Sequence, residues 1–222
     1  MIGIFSSRRH LLALFSALFG ASALAPVMAQ TPPPLRIVAF GDSLTAGYQL
    51  PAPDAFPVVL EKALKDKGLI ANISNAGVSG DTTSGGLARL DWSIPEGTQA
   101  VILELGANDA LRGLDPARAE ANLEAMITRL KARNIKVLLA GMLAPRNNGA
   151  DYAKTFDALY PRLAERHGLM LYPFFLDGVT GVPGMTLPDG LHPNRQGVDE
   201  IVRRILPTVI ALLNSLDKPV SR

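Results

Sequence analysis

Ser43, Asp189 and His192 are the residues through which this chain could carry out covalent acyl transfer. Ser43 stands in Ile37-Val38-Ala39-Phe40-Gly41-Asp42-Ser43-Leu44, an apolar run that stops at Gly41 and hands a hydroxyl to a helix start. Near the other end, Asp189-Gly190-Leu191-His192-Pro193 sets a carboxylate and an imidazole three residues apart on a turn. A hydroxyl is a weak nucleophile until a base takes its proton, and a third group must orient that base. Serine, histidine and aspartate supply those parts.

The chain has three histidines. His10 falls in an N-terminal leader. His167 precedes Gly168, and a histidine in a last helical turn is favoured by the dipole and the terminal carbonyls. His192 alone combines a neighbouring acid with a loop position. The competing reading is that Asp189 and His192 cap a helix opening near Asn194. Ser79 is the competing nucleophile, but Gly77-Val78-Ser79-Gly80-Asp81 lacks the second glycine of a nucleophile elbow, so Ser79 reads as a loop residue.

Acyl transfer also builds negative charge on the carbonyl oxygen, which aimed N–H donors stabilise. Candidate donors are the Ser43 amide, the Gly80 amide in Ser79-Gly80-Asp81-Thr82, and the Asn108 side chain in Gly106-Ala107-Asn108-Asp109. Glycine suits the second place because backbone must come close to the substrate. Asp42 and Asp81 read as helix caps, Asp109 as a loop brace or cap, and Trp92 as a packing residue.

Short apolar runs alternating with helical patterns must position these groups. Strands are expected at residues 35–40, 71–75, 100–105, 136–142 and 169–175. Helices are expected at 55–67, 82–90, 116–133, 152–167 and 194–213, with Pro161 bending or breaking the fourth. Alternation of this kind predicts an α/β fold, a mainly parallel sheet covered by helices on both faces. Ligands of such open sheets bind beyond the carboxyl ends of the strands. Ser43, Gly80 and Asn108 each follow one of the first three strands.

Residues 1–29 form a separate segment. Arg8 and Arg9 precede a long apolar stretch that ends in Val27-Met28-Ala29, the pattern of a cleaved secretory signal peptide. Residues 30–34 read as a proline-rich tether, 35–215 as the domain and 216–222 as a tail. Of 22 Lys and Arg, two lie in the leader, so the remainder balances the 20 Asp and Glu. A neutral mature chain argues against nucleic acid or an anionic membrane as partner. With no cysteine, disulfides, thiolate metal sites and a cysteine nucleophile are excluded. No metal or nucleotide cofactor is expected, since no HExxH, GxGxxG or phosphate loop occurs. A monomer is the simple default.

The four blocks, in order, resemble the SGNH (GDSL) hydrolase family, in particular its thioesterase, lysophospholipase and arylesterase group. The likeness covers roughly residues 35–215. It implies a three-layer α/β/α sandwich around a five-stranded parallel sheet of flavodoxin-like type. It also implies Ser43, His192 and Asp189 as catalytic residues, and Ser43, Gly80 and Asn108 as the oxyanion hole. Aryl esters, acyl thioesters and lysophospholipids are the implied substrates; carbohydrate acetyl esters are the alternative within the family. Two departures stand out: Ala107 replaces a frequent glycine, and residues 142–149 differ from well-known members. A non-catalytic binding module of the same shape is the rival class. Exported protein is expected to begin at Gln30 or within a few residues of it, as N-terminal sequencing would read; residues 1–29 retained in a membrane fraction would contradict this.

Overall fold

The structure, a computed structural model, describes residues 33–216 and, apart from them, Ile2. The expected leader, the start of the tether and nearly all of the tail lie outside the described residues.

Five strands form one parallel sheet in the order β2-β1-β3-β4-β5. They are β1 (Leu35–Gly41), β2 (Ala71–Gly77), β3 (Ala100–Glu104), β4 (Lys136–Ala140) and β5 (Met170–Tyr172). Every residue of β3 is buried, as a central strand covered on both faces requires. The helices are α1 (Ser43–Ala46), α2 (Phe56–Asp66), α3 (Thr83–Ser93) and α4 (Ala107–Leu111). They continue with α5 (Pro116–Ala132), α6 (Ala150–Asp157), α7 (Leu159–His167) and α8 (Arg195–Asn214). Helix α2 packs with α8, and α5 with α3 and α7, giving a layer on each side of the sheet. This is the α/β/α sandwich of the sequence expectation, and its strand order is the flavodoxin-like one.

That order creates the position of the site. The chain leaves β1 for β2 on one side and returns to β3 on the other, so a crevice opens between β1 and β3. Register makes the strand ends level: Gly41 stands opposite Gly77 on β2 and Glu104 on β3. Gly41 cannot carry a side chain, because a Cβ there would collide with Thr45 and Glu104.

Three elements differ from the pattern read in the sequence. The strands expected over 136–142 and 169–175 stop early, at Ala140 and Tyr172. The helix expected over 152–167 is two helices, and the break falls at Ala158 rather than at Pro161. Pro161 instead sits in the first turn of α7, where its missing N–H has no intrahelical partner to lose. Pro207 stays inside α8.

Beside Pro161, Tyr160 is 1% exposed, and its hydroxyl donates to the Leu105 carbonyl at 2.9 Å. That bond fixes the chain between β3 and α4, immediately before Gly106, whose φ of 122° only glycine adopts readily. Burial, chiefly, holds the Tyr160 phenol well above its ordinary pKa, so it stays a donor. Tyr160→Phe should cost about 1–3 kcal/mol by leaving a buried carbonyl unpartnered, read as a lower urea midpoint.

Candidate active site

Asp42 and Ser43 occupy the turn from β1 into α1. The Asp42 carboxylate caps α1, its Oδ1 accepting from the Leu44 amide at 3.0 Å. Ser43 takes the first helical position, where its own amide has no partner within the helix. On the far side of the crevice, Asp189 organises its own turn. Its Oδ1 accepts from the amides of Leu191 at 2.9 Å and His192 at 3.0 Å. Its Oδ2 meets His192 Nδ1 at 2.7 Å. His192 Nε2 lies 2.9 Å from Ser43 Oγ, joining residues 149 positions apart.

The His192 and Leu191 amides lower the Asp189 pKa to about 2, so its carboxylate is ionised throughout the neutral range. An ionised carboxylate beside Nδ1 requires a proton on Nδ1. Nε2 is then the free lone pair, and it faces the Ser43 hydroxyl. The ring of Tyr48 lies against the His192 ring, with centroids 4.4 Å apart. Asp189 and His192 therefore do not cap the following helix; Asn194 does, accepting from the Gly197 amide at 3.0 Å.

Asn108 sits in α4 and lines the same cavity as Ser43 and His192. Its amide donates to Asp42 Oδ2 at 3.2 Å and to the Asp81 carbonyl at 2.9 Å. The second bond sets the Gly80-Asp81 loop beside α4. Gly80 has φ +84° and its carbonyl accepts from Arg112 at 2.8 Å, but Gly80 does not itself line the cavity. Ala107 opens α4, a helical position that an alanine fills without strain, so the departure from glycine is accommodated. The cavity holds about 400 Å³. Apolar side chains dominate its walls, among them Leu111, Met142, Leu143, Phe174 and Leu191.

One acid has a role other than the one expected. Asp81 is not a cap: Thr82 caps α3, and Asp81 pairs with Arg89 at 2.5 Å. Arg89, 7% exposed, also donates to the carbonyls of Ala76 and Gly41, at 2.9 and 2.8 Å, and lies over the Phe40 ring. It thus stitches the ends of β1 and β2 to the Gly80 loop. Asp109 braces α3, accepting from the amide and hydroxyl of Thr83 at 2.8 and 2.7 Å. Trp92 packs against no core, being 76% exposed. Ser79 is exposed on its loop. His167 stays structural, 3.1 Å from Glu124. Among the described residues, no group of three or more His, Asp or Glu side chains is placed to hold a metal ion.

Sequence reading passed over Glu104. It is fully buried under the Asp42-Ser43 turn, its Oε2 accepting from Thr45 Oγ1 at 2.8 Å and from the Asp42 amide at 3.3 Å. Its Oε1 is buried without a partner. Burial first, and the charge of Asp42 second, push its pKa well above its ordinary value, which favours the neutral form. Burial also raises Asp42, to about 6, against the pull of the Leu44 amide and the Asn108 side chain, so Asp42 is mostly ionised at neutral pH. A charged residue ending an otherwise apolar strand, Ala100-Val101-Ile102-Leu103-Glu104, was the available signal.

A flavodoxin-like sheet with a hydrogen-bonded serine, histidine and aspartate at its switch point is the arrangement of an SGNH-type hydrolase. Residues 39–199 match the GDSL-like Lipase/Acylhydrolase family, and the chain belongs to that family. Esterase TesA of Pseudomonas aeruginosa is 39% identical over 178 residues, 80% of this chain and 89% of that protein. An arylesterase of Vibrio mimicus is 41% identical over 159 residues, 71% of this chain and 80% of that one. The crystal structure of TesA superposes with a TM-score of 0.76 at 38% identity, covering 80% of this chain and 99% of its own. AlinE4, an SGNH-hydrolase family esterase, superposes with a TM-score of 0.70 at 45% identity, covering 82% and 98%. The chain is a carboxylic ester hydrolase.

Glu104→Gln should match wild type to within about 1 kcal/mol at acid pH, where the unfolded chain also carries the proton, and should be the more stable of the two at neutral pH. Glu104→Ala, which strands two donors and opens a cavity, should cost about 2–5 kcal/mol. The native state keeps protons on Glu104 and Asp42 that the unfolded chain has released, so stability declines as pH rises from the ordinary carboxylate range through about 6. Urea midpoints across that range should fall less steeply in Glu104→Gln than in wild type.

Proposed function

We propose that this chain is an exported serine hydrolase that cleaves carboxylic esters and thioesters through an acyl-enzyme on Ser43. The observation that carries the reading is the continuous row from Asp189 Oδ2 through His192 to Ser43 Oγ, at 2.7 and 2.9 Å, opening on an apolar cavity. Aryl esters, acyl-CoA thioesters and lysophospholipids are the proposed substrates. The apolar walls favour an acyl chain over the sugar of an acetylated carbohydrate. Export to the periplasm or medium is supported by the leader of residues 1–29. All the proposed groups come from one chain, so a monomer suffices.

In this mechanism Ser43 Oγ attacks the carbonyl carbon as His192 Nε2 takes the hydroxyl proton. The imidazolium forms beside an ionised Asp189, which stabilises it and keeps Nδ1 protonated. The carbonyl oxygen becomes an oxyanion, stabilised by the amides of Ser43 and Gly80 and by Asn108 Nδ2. The Asp42-facing hydrogen of Asn108, on the longer of its two bonds, is the one it offers. Collapse expels the alcohol or thiol, which takes the proton from His192. Water then enters, loses its proton to His192, and attacks the acyl-enzyme to release the acid and restore Ser43.

A fluorophosphonate probe should label Ser43 in the wild type and leave Ser43→Ala unlabelled. Ester turnover should fall to near background in Ser43→Ala and persist in Ser79→Ala; the reverse pattern would sink the assignment, and no labelling at all would favour a binding module. Asn108→Ala should lower kcat by roughly 10²–10³ with a much smaller change in KM, because its donor strengthens only as charge develops. A raised KM at unchanged kcat would move Asn108 to ground-state binding.

A further inference from the structure

One wall of the cavity is a run of five consecutive residues, Met142 to Arg146. It leaves the end of β4 and reaches α6 with no regular structure of its own except a single 3₁₀ turn, Arg146–Asn148. Such a segment keeps a shape only if its polar groups are tied. Here they are. The Ala144 amide donates to Asp157 Oδ1 at 2.8 Å, and Arg146 Nη1 donates to Asp157 Oδ2 at 2.7 Å. Further along, Asn148 Nδ2 donates to the Ala110 carbonyl in α4 at 2.6 Å. Asp157 is the last residue of α6, so one carboxylate grips the middle and the end of the wall from a helical base.

The two grips are unequal. Arg146 has 66% of its side chain exposed, and an ion pair that open to water contributes little. Ala144 is 4% exposed, so its amide would lose its partner with little water to replace it. The Ala144 bond is therefore the main hold. The other walls are differently placed. Ala107, Asn108 and Leu111 ride on α4, and Gly190 and Leu191 belong to the turn that carries His192. Moving either would move a reacting or stabilising group. No hydrogen bond of Ser43, Asn108, Asp189 or His192 runs to residues 142–149.

We propose that Asp157 sets the acyl-chain specificity of this site as a positioning residue, fixing the Met142–Arg146 wall against which long acyl chains pack. It touches no substrate and acts through Ala144. The role rests on the reading that Ser43 is acylated by carboxylic esters. An acetyl group stays near Ser43, whereas a longer chain extends along the apolar walls and gains from their being preformed.

The test is a chain-length series of p-nitrophenyl esters, acetate to decanoate, on purified wild type, Asp157→Ala, Asp157→Asn and Arg146→Gln. Asp157→Ala should lower the octanoate-to-acetate ratio of kcat/KM by roughly tenfold, with the loss mainly in KM for octanoate. Asp157→Asn keeps an acceptor for the Ala144 amide and should recover most of the ratio; Arg146→Gln should shift it by less than about threefold. A loss equal at every chain length, alongside a lower melting temperature, would make Asp157 a structural support only and overturn the proposal. An unchanged ratio would overturn it too. Ser43→Ala is run in parallel: turnover surviving there breaks the acyl-enzyme reading, while a flat series with Ser43-dependent turnover breaks only the role of Asp157.

Discussion

The Asp42 carboxylate is buried where the first turn of α1 meets the Asn108 side chain, and the site takes its geometry from that placement. A carboxylate out of water is costly unless it is hydrogen-bonded. Both oxygens accept N–H groups, and each of those groups adjoins the proposed machinery: Leu44 follows the proposed nucleophile, and Asn108 is the proposed oxyanion donor. The backbone N–H of Asp42 goes to Glu104, so the turn is anchored to the central strand as well. A neutral Glu104 makes this workable, since a second charge beneath Asp42 would compete with it. Gly41 completes the arrangement by leaving room for Thr45 and Glu104 to meet.

Arg89 solves a related problem one strand over. Strand-end carbonyls have room for a further donor, and that of Gly41 already accepts from the Val78 amide at 3.0 Å. The guanidinium covers those of Gly41 and Ala76 and takes its counter-charge from Asp81. The Gly80 loop is thereby held to the strands without a helix or sheet of its own. The site is built by a few buried charges, while the cavity beside it is apolar. In the proposed reaction the polar side would place the reacting atoms and the apolar side would hold the acyl chain.

The pattern of strands, helices and the groups that follow strand ends was legible because each depends on local sequence. Leu35–Gly41 and Pro116–Ala132 carry their own periodicity, and a serine after an apolar run ending in glycine announces a strand-to-helix turn. What was not legible depends on distant partners. Asp81 looked like a cap because nothing local reveals that Arg89, on α3, folds back to it. Pro161, the strongest local breaker, is where the sequence expects a bend or break in the fourth helix, yet tertiary packing puts the break at Ala158 and gives the proline a first-turn position. Glu104 was hidden inside a strand read for its hydrophobicity. Gly80 and Asn108 stand in separate sequence blocks, and only the fold ties Asn108 to the Gly80-Asp81 loop through the Asp81 carbonyl.

Trp92 is the chain's single tryptophan, and it stands 76% exposed on α3. The indole is already in water in the native state, so its emission starts red-shifted and has little further to move when the chain unfolds. Tryptophan emission is therefore a weak reporter of unfolding and of cavity occupancy in this protein. Circular dichroism, or the buried ring of Tyr160, is the natural spectroscopic window. The same silence is useful: an indole placed at Leu143 or Leu191 would report on the apolar cavity against an almost invariant background.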